Sequence, residues 1–130
     1  MPVEVRVVTP EHELWAGEAE MVIARGTEGE VGILQGHVPL LVRLSIARLR
    51  IQRSGGEEVD VVVDGGFLHV TSEGGATRVD VLADAGELAA DVDREAAAVR
   101  KQEAESRLAQ DRDDDAARAD LARAAARLGG

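Results

Sequence analysis

Cysteine is absent from the 130 residues, lysine occurs once at Lys101, and the aromatics are one Trp and one Phe with no Tyr. Each shortage removes a class of function. Without thiols there are no disulfides, zinc knuckles, iron–sulfur ligands or cysteine nucleophiles, a composition that fits a reducing compartment. No glycine is followed by lysine, so the chain carries no Walker-type phosphate loop. Two aromatics make no stacking platform for nucleobases. No apolar run reaches the roughly 20 residues that span a bilayer, so no direct membrane insertion is expected. MPVEVRVV has no basic region ahead of an apolar core, and no secretory signal is expected from it. Basic residues are outnumbered, 15 against 25 acidic, for a net charge of −10. Such a surface repels phosphate backbones and anionic headgroups, so nucleic acid is not an expected partner.

What is present falls into two halves. In VEVRVV (3–8) valines alternate with charged residues, the period-2 pattern of a half-buried strand. AEMVIA (19–24) and RLSIARLRIQ (43–52) read as further strands, the latter with its alternation slipping between Ile46 and Leu49, which predicts a bulge or turn near Ala47. EVDVVV (58–63), FLHV (67–70) and TRVDVL (77–82) follow. SGGE (54–57), DGG (64–66) and SEGG (72–75) have tight-turn composition. Short strands at this spacing predict a small all-β sandwich or flattened barrel over residues 1–86.

From Glu87 onward there is no aromatic or proline, and no glycine before Gly129 and Gly130. Leu88, Val92, Ala96 and Val99 fall at helical spacing, with Leu108 further along; Ala117, Leu121, Ala124/Ala125 and Leu128 make a second stripe. QDRDDDA (110–116) separates them, and Asp113, Asp114 and Asp115 suit a helix N-terminus. Glu103 and Arg107 are spaced for an i, i+4 ion pair. Residues 87–130 therefore predict an α-helical hairpin. Alanine stripes bury little apolar area, so the hairpin is expected to dock weakly. That leaves two readings open, a mobile hairpin or one held by a partner.

The densest candidate for a site is GTEGEVGILQGHVPLL (26–41). Its glycines do not form GxGxxG and precede no helix, so turns and bulges explain them better than phosphate binding. His37 has no second His or Cys beside it, which favours a hydrogen-bonded or interface histidine over a ligand or general base. Glu11-His12-Glu13 cannot converge on one ion if extended, because successive side chains alternate faces. Asp111–Asp115 lacks the glycine and ligand spacing of a calcium loop. GxSxG and HExxH are absent. The residues describe a non-enzymatic interaction module with no catalytic residues and no metal site. A free-standing ligand-binding or adaptor sandwich and a small Glu/His hydrolase are the rival readings.

GTEGEVGILQGHVPLL also resembles the signature of the epsilon subunits of F-type ATP synthases, the family that includes the mitochondrial delta subunit. VVTPEHELWAGEAEMV (7–22), DGGFLHV (64–70) and VDVLADAGELAADVD (79–93) resemble other family segments in collinear order, with Trp15 at a usual aromatic position. The resemblance implies a β-sandwich followed by a helical hairpin. It implies a non-catalytic rotor subunit in the central stalk, peripheral on the cytoplasmic face of a bacterial plasma membrane. The implied partners are the gamma subunit, the c-subunit ring and, when the hairpin extends, the alpha/beta catalytic head, where it inhibits hydrolysis. Carried over by position, the ring contact comprises Glu28, Glu30, Gly32, Gly36 and His37. Gln35 stands where the family usually has proline, which predicts a slightly less rigid turn. The regulatory hairpin carries Arg118, Arg123 and Arg127, which would meet acidic groups of the head. Some members bind regulatory ATP through an apolar residue, Asp, two variable residues, Arg and Ala. VDREAA (92–97) keeps Asp93 and Ala97 but has Ala96 in place of the arginine. Losing that guanidinium removes a bidentate phosphate contact, so no cofactor is expected.

Overall fold

The computed structural model describes residues 2–129; Met1 and Gly130, the outer limits of the two expected domains, lie outside them. The strands are β1 (Val3–Val8), β2 (Glu13–Ala19), β3 (Met21–Gly26), β4 (Gly29–Ile33), β5 (Leu40–Gln52), β6 (Glu58–Glu73), β7 (Ala76–Ala83) and β8 (Gly86–Leu88), followed by helices α1 (Arg94–Gln110) and α2 (Asp115–Leu128). The sheet order is β2-β1-β7-β6-β5-β3-β4, with β8 also on β6. β1 and β7 are parallel; the other pairs are antiparallel. The all-β sandwich followed by a helical hairpin is therefore as the sequence predicts.

The alternating valines do what their period requires. Val3, Val5 and Val7 of β1, Val79 and Val81 of β7, and Leu68 and Val70 of β6 point into one core shared with Val22, Ile33, Leu49 and Ile51. β5 and β6 are long enough to serve both layers. The slip near Ala47 is present as a mismatch on the β3 side. Gly26 pairs with Leu44 while Ile23 pairs with Arg50, so β5 carries extra residues there, yet β5 stays in register with β6 throughout.

Two expectations are corrected. Asp64-Gly65-Gly66 is not a turn between two strands; β6 runs through it. Gly65 and Gly66 adopt φ +88° and +115°, and a Cβ on Gly66 would lie 2.1 Å from the Leu82 carbonyl oxygen. Here the glycines bend a continuous strand and admit close backbone approach. Nor does the first helix begin near Leu88. Gly86–Leu88 pair with Val61–Val63 as β8, and α1 starts at Arg94 behind Asp93, whose carboxylate accepts from the Ala96 N–H at 3.0 Å. The buried residues of α1 are Ala97 and Ala104, with Lys101 and Leu108 half-buried on the same face, whereas Val99 points to solvent.

Candidate functional site

Three surfaces stand out. The first is the outer face of the sheet across β5, β6, β7 and β1. Phe67 lies opposite Leu82 and Arg43, Leu41 opposite His69, and Val8 opposite Leu82. Directly opposed residues share a face, so Leu41, Phe67 and Leu82, exposed by 64%, 44% and 55%, form one apolar strip edged by Arg43, His69 and Asp80. The only phenylalanine of the chain is on this strip. Contiguous apolar exposure of this kind marks a contact surface.

The second surface is built from the glycine-rich stretch, which is mostly hairpin rather than loop. Thr27 and Glu28 are the turn between β3 and β4, with Gly26 opposite Gly29. Glu30 lies opposite Arg25, and Gly32 opposite Ile23. Glu30 therefore lies near the start of β4, beside a groove that α2 closes with Ala122, Ala125 and Ala126. His37 sits four residues beyond the end of β4, in the Leu34–Pro39 loop. Glu28, Glu30 and Gly32 thus share one hairpin, while Gly36 and His37 belong to a separate turn. Gly36 adopts φ +87°. Its N–H donates to the Thr77 hydroxyl at 2.8 Å, and the Gln35 side-chain amide donates to the Gly75 carbonyl at 2.5 Å. The His37 N–H donates to the Leu34 carbonyl at 3.1 Å, and its Nδ1 lies 2.7 Å from the Val38 carbonyl. Gln35, where the resemblance expects proline, ties the turn to the β6–β7 turn through that bond.

The third surface is the seam under the hairpin. α1 packs on α2, and α2 packs on β5 and β6. Asp114 caps α2 by accepting from the Ala117 N–H at 2.9 Å, and Gly129 ends it in the left-handed region. Small side chains make the apolar part of the seam, so polar groups carry much of the specificity. Arg127 donates to Asp64 at 3.1 and 3.2 Å and to Glu87 at 3.0 Å. Arg48 donates to the Ala126 and Arg127 carbonyls at 2.7 and 3.0 Å, satisfying acceptors that a helix C-terminus leaves unpaired. Burial alone would lower the pKa of Arg127, but the hydrogen bonds it donates to Asp64 and Glu87 more than offset this and leave it raised.

Between the helices the expected Glu103–Arg107 pair is replaced by a tertiary one. Arg107 reaches Asp120 at 2.7 Å and Asp114 at 3.6 Å. The hydrogen bond from Arg107 holds the Asp120 carboxyl below its usual range, and the same bond raises Arg107. Arg123 pairs with Asp120 at 3.2 Å and Asp64 at 3.8 Å, while Arg118 pairs with Asp115 at 3.5 Å on the exposed side. In this docked hairpin Arg123 and Arg127 reach the sandwich through Asp64, whereas Arg118 is on the exposed side, paired with Asp115 and donating to the Arg112 carbonyl. Asp64 and Glu87 are the partners that sequence reasoning missed, since nothing local links them to α2.

A cleft of about 380 Å³ between the helices and β6 is lined by Asp64, Arg100, Glu103, Asp120, Arg123 and Arg127 among others. Asp93 and Ala97 do not act together in it: Ala97 lines the cleft, whereas Asp93 is spent on capping α1. Most of the cleft's guanidinium groups already face carboxylates, a poor fit for a nucleotide triphosphate. Among the described residues no group of three or more His, Asp or Glu side chains is placed to hold a metal. Among them, too, no helix is long and apolar enough to cross a membrane.

Comparison with known proteins bears on the family and the fold. The family described as "ATP synthase, Delta/Epsilon chain, beta-sandwich domain" matches residues 2–89. The ATP synthase epsilon chain of Frankia casuarinae is 49% identical over 74 residues, covering 57% of this chain and 87% of that one. Those of Brevibacillus brevis (49% over 69 residues) and Thermobifida fusca (54% over 70 residues) match 53% and 52% of this chain, and 52% and 50% of their own length. Among solved structures, a chain of the Euglena gracilis mitochondrial ATP synthase OSCP/F1/c-ring assembly aligns with TM-score 0.73 at 23% identity, covering 98% of this chain and 75% of that one. A chain of the Tetrahymena thermophila central stalk/c-ring aligns at TM-score 0.52 and 20% identity, covering 75% of this chain and 70% of that one. At that identity the structural matches speak for the fold.

Proposed function

The chain belongs to the ATP synthase delta/epsilon family, and from that membership we propose that it is a non-catalytic central-stalk subunit joining a gamma subunit to the c-subunit ring. The observation that carries the reading is the apolar strip Leu41–Phe67–Leu82, which is open to solvent in the isolated chain. A rotor coupling transmits torque, and that requires a stiff, extended contact; a strip spanning three hydrogen-bonded strands supplies one. We assign the strip to gamma, and the β3–β4 hairpin bearing Glu28 and Glu30 together with the separate turn bearing Gly36 and His37 to the polar loops of the ring. The sandwich through Leu88 is the coupling unit in this reading, and the α1–α2 hairpin is the regulatory one. Membrane association is peripheral, on the cytoplasmic face, through these partners.

The hairpin's role follows from its seam. Alanine packing and a few ion pairs make a contact of modest strength, suited to an element with two positions. Docked, Arg123 and Arg127 are occupied by Asp64, Asp120 and Glu87; extended, they are free to meet acidic groups of the catalytic head and block hydrolysis. Regulatory ATP is not part of the proposal, because Ala96 replaces the motif arginine and Asp93 caps α1.

The test is a reconstituted complex carrying Phe67→Glu with Leu82→Glu. Placing two charges in the strip should abolish ATP-driven proton pumping while the head continues to hydrolyse ATP. Normal pumping per ATP hydrolysed would overturn the assignment of the strip.

A further inference from the structure

The outer face of the sheet carries a second feature beside the apolar strip. Along β1 its outward residues are Val8, Arg6 and Glu4. Val8 lies opposite Leu82 at the end of the strip, Arg6 opposite Asp80, and Glu4 between Arg78 of β7 and Glu18 of β2. The charges nearest the strip are paired within the chain: Arg6 binds Glu13 at 2.8 Å, and Arg78 reaches along its own strand to Asp80 at 3.1 Å. Glu4 and Glu18 are left face to face, both exposed, and among the described residues neither has an ion-pair partner. Like charges directly opposed across two strands destabilise a sheet. A charge on an edge strand such as β2 guards against sheet-to-sheet pairing, which accounts for Glu18. It does not account for Glu4, which lies on β1 between β2 and β7.

The ground between the two carboxylates is hollow. Ala16 leaves a depression of about 280 Å³ rimmed by Glu4, Glu18, Arg6 and Arg78. Both arginines are committed to other carboxylates, so the charge left over in the depression is negative and repels an anion. Among the described residues no third acidic or histidine side chain joins the pair to hold a metal. What fits is a lysine or arginine, its methylene stem on Ala16 and its head between the carboxylates. A local rule broken within the chain and mended by a neighbour marks a contact site.

We propose that Glu4 and Glu18 form an acidic notch that takes one basic side chain of the partner covering the apolar strip, about 13 Å from that partner's apolar contact, the length of four residues of β1. The proposal rests on the rotor reading above, in which that partner is gamma, and adds to it a second anchor, a sign of charge and a spacing. The strip supplies area without direction. A charged anchor set apart from it fixes the angle at which the partner crosses the strands, so that the two cannot pivot on one another under load.

Two substitutions and two readouts separate the levels of this claim. In the purified chain Glu18→Lys replaces the opposed carboxylates by an opposite-charge pair with Glu4, so Tm should rise by about 2 °C, and Glu18→Gln should raise it by less. Glu73→Lys makes the same charge change in an exposed residue at the end of β6 and is the control. A rise in Glu18→Lys no larger than in the control would overturn the strained pair, whatever the protein's role. The second readout is titration of the chain into a catalytic head assembled with gamma but lacking this subunit. Affinity should fall by about tenfold in Glu18→Gln and by about a hundredfold in Glu18→Lys, and added salt should weaken the unsubstituted chain more than Glu18→Gln. A raised Tm with undiminished affinity would overturn the notch while leaving the rotor reading standing. An unsubstituted chain that does not bind the head would instead strike at the rotor reading.

Discussion

Arg127→Ala is the perturbation whose effect can be worked most fully from the structure. The guanidinium spans Asp64 on β6 and Glu87 on β8, at 3.0 to 3.2 Å. The Arg127 and Asp64 side chains are 12% and 10% exposed, Glu87 37%. Removing one partner of a fully buried pair costs roughly 3–5 kcal/mol, and a surface pair contributes at most about 1 kcal/mol. With one carboxylate sealed and the other open to water, the docking of α2 should weaken by about 2 kcal/mol, a factor of about 30 in the docked fraction. The bonds from Arg48 to the Ala126 and Arg127 carbonyls do not need the Arg127 side chain, so docking should be weakened rather than abolished. Once released, α2 has 14 residues, short enough to be marginal as an isolated helix. Amide exchange over residues 115–128 should therefore accelerate by about the same factor, with the core strands β1 and β7 unchanged. Arg127→Lys should recover little, since an ammonium cannot fork between two carboxylates. Arg118→Ala, which removes an exposed pair, is the control and should leave exchange as it is. Protection of α2 in Arg127→Ala equal to that in the control would refute the reasoning.

Other outcomes follow from the same geometry. Gly66→Ala places a Cβ against the Leu82 carbonyl at positive φ, so stability should fall by at least about 3 kcal/mol and Tm by about 10 °C; an unchanged melting curve would contradict the close approach. The Asp120 carboxyl titrates below its unfolded value because Arg107 donates to it. Its contribution to helix–helix packing is therefore present above the unfolded carboxylate pKa of about 4 and is lost as pH falls through the folded value. Helical circular dichroism should be flat from neutral pH down to about 5 and decline below about 4, an acid limb that Asp120→Asn reduces; a transition centred near pH 6 would point to a histidine instead. Isothermal titration of ATP into the purified chain should give no micromolar binding, and micromolar binding would point to Arg100, Arg123 and Arg127 of the cleft as phosphate ligands.

The parts of the fold that were legible in the sequence are those whose period stands out against its background. Val3, Val5 and Val7 alternate with charges, and their burial follows directly. The slip between Ile46 and Leu49 was visible for the same reason. Asp64-Gly65-Gly66 was misread because a turn and a bend share one composition; only the approach of the Leu82 backbone, 16 residues away, decides between them. α1 was out of phase because alanine and charged residues give little contrast, so Val99 looked like core while Ala97 and Ala104 hold that place. Asp93 carried a real local signal, a cap, which the ATP motif obscured. The site divides in the same way. The glycine-rich stretch was visible as a contact candidate, but its split into a hairpin bearing Glu30 and a fastened turn bearing His37 depends on Thr77. The apolar strip was hidden because parity along β6 puts Phe67 opposite Leu68 without saying which face is left open. Arg127 and Asp64 lie 63 residues apart, beyond any local pattern.

The central claim, that this chain joins gamma to the ring, is tested most directly by its company. A tagged copy expressed in its own organism and extracted from membranes in mild detergent should bring down gamma and the c-subunit ring in fixed stoichiometry, and Phe67→Glu with Leu82→Glu should lower the yield of gamma. A tagged chain that purifies alone, in the same amount with the strip intact or charged, would contradict the account.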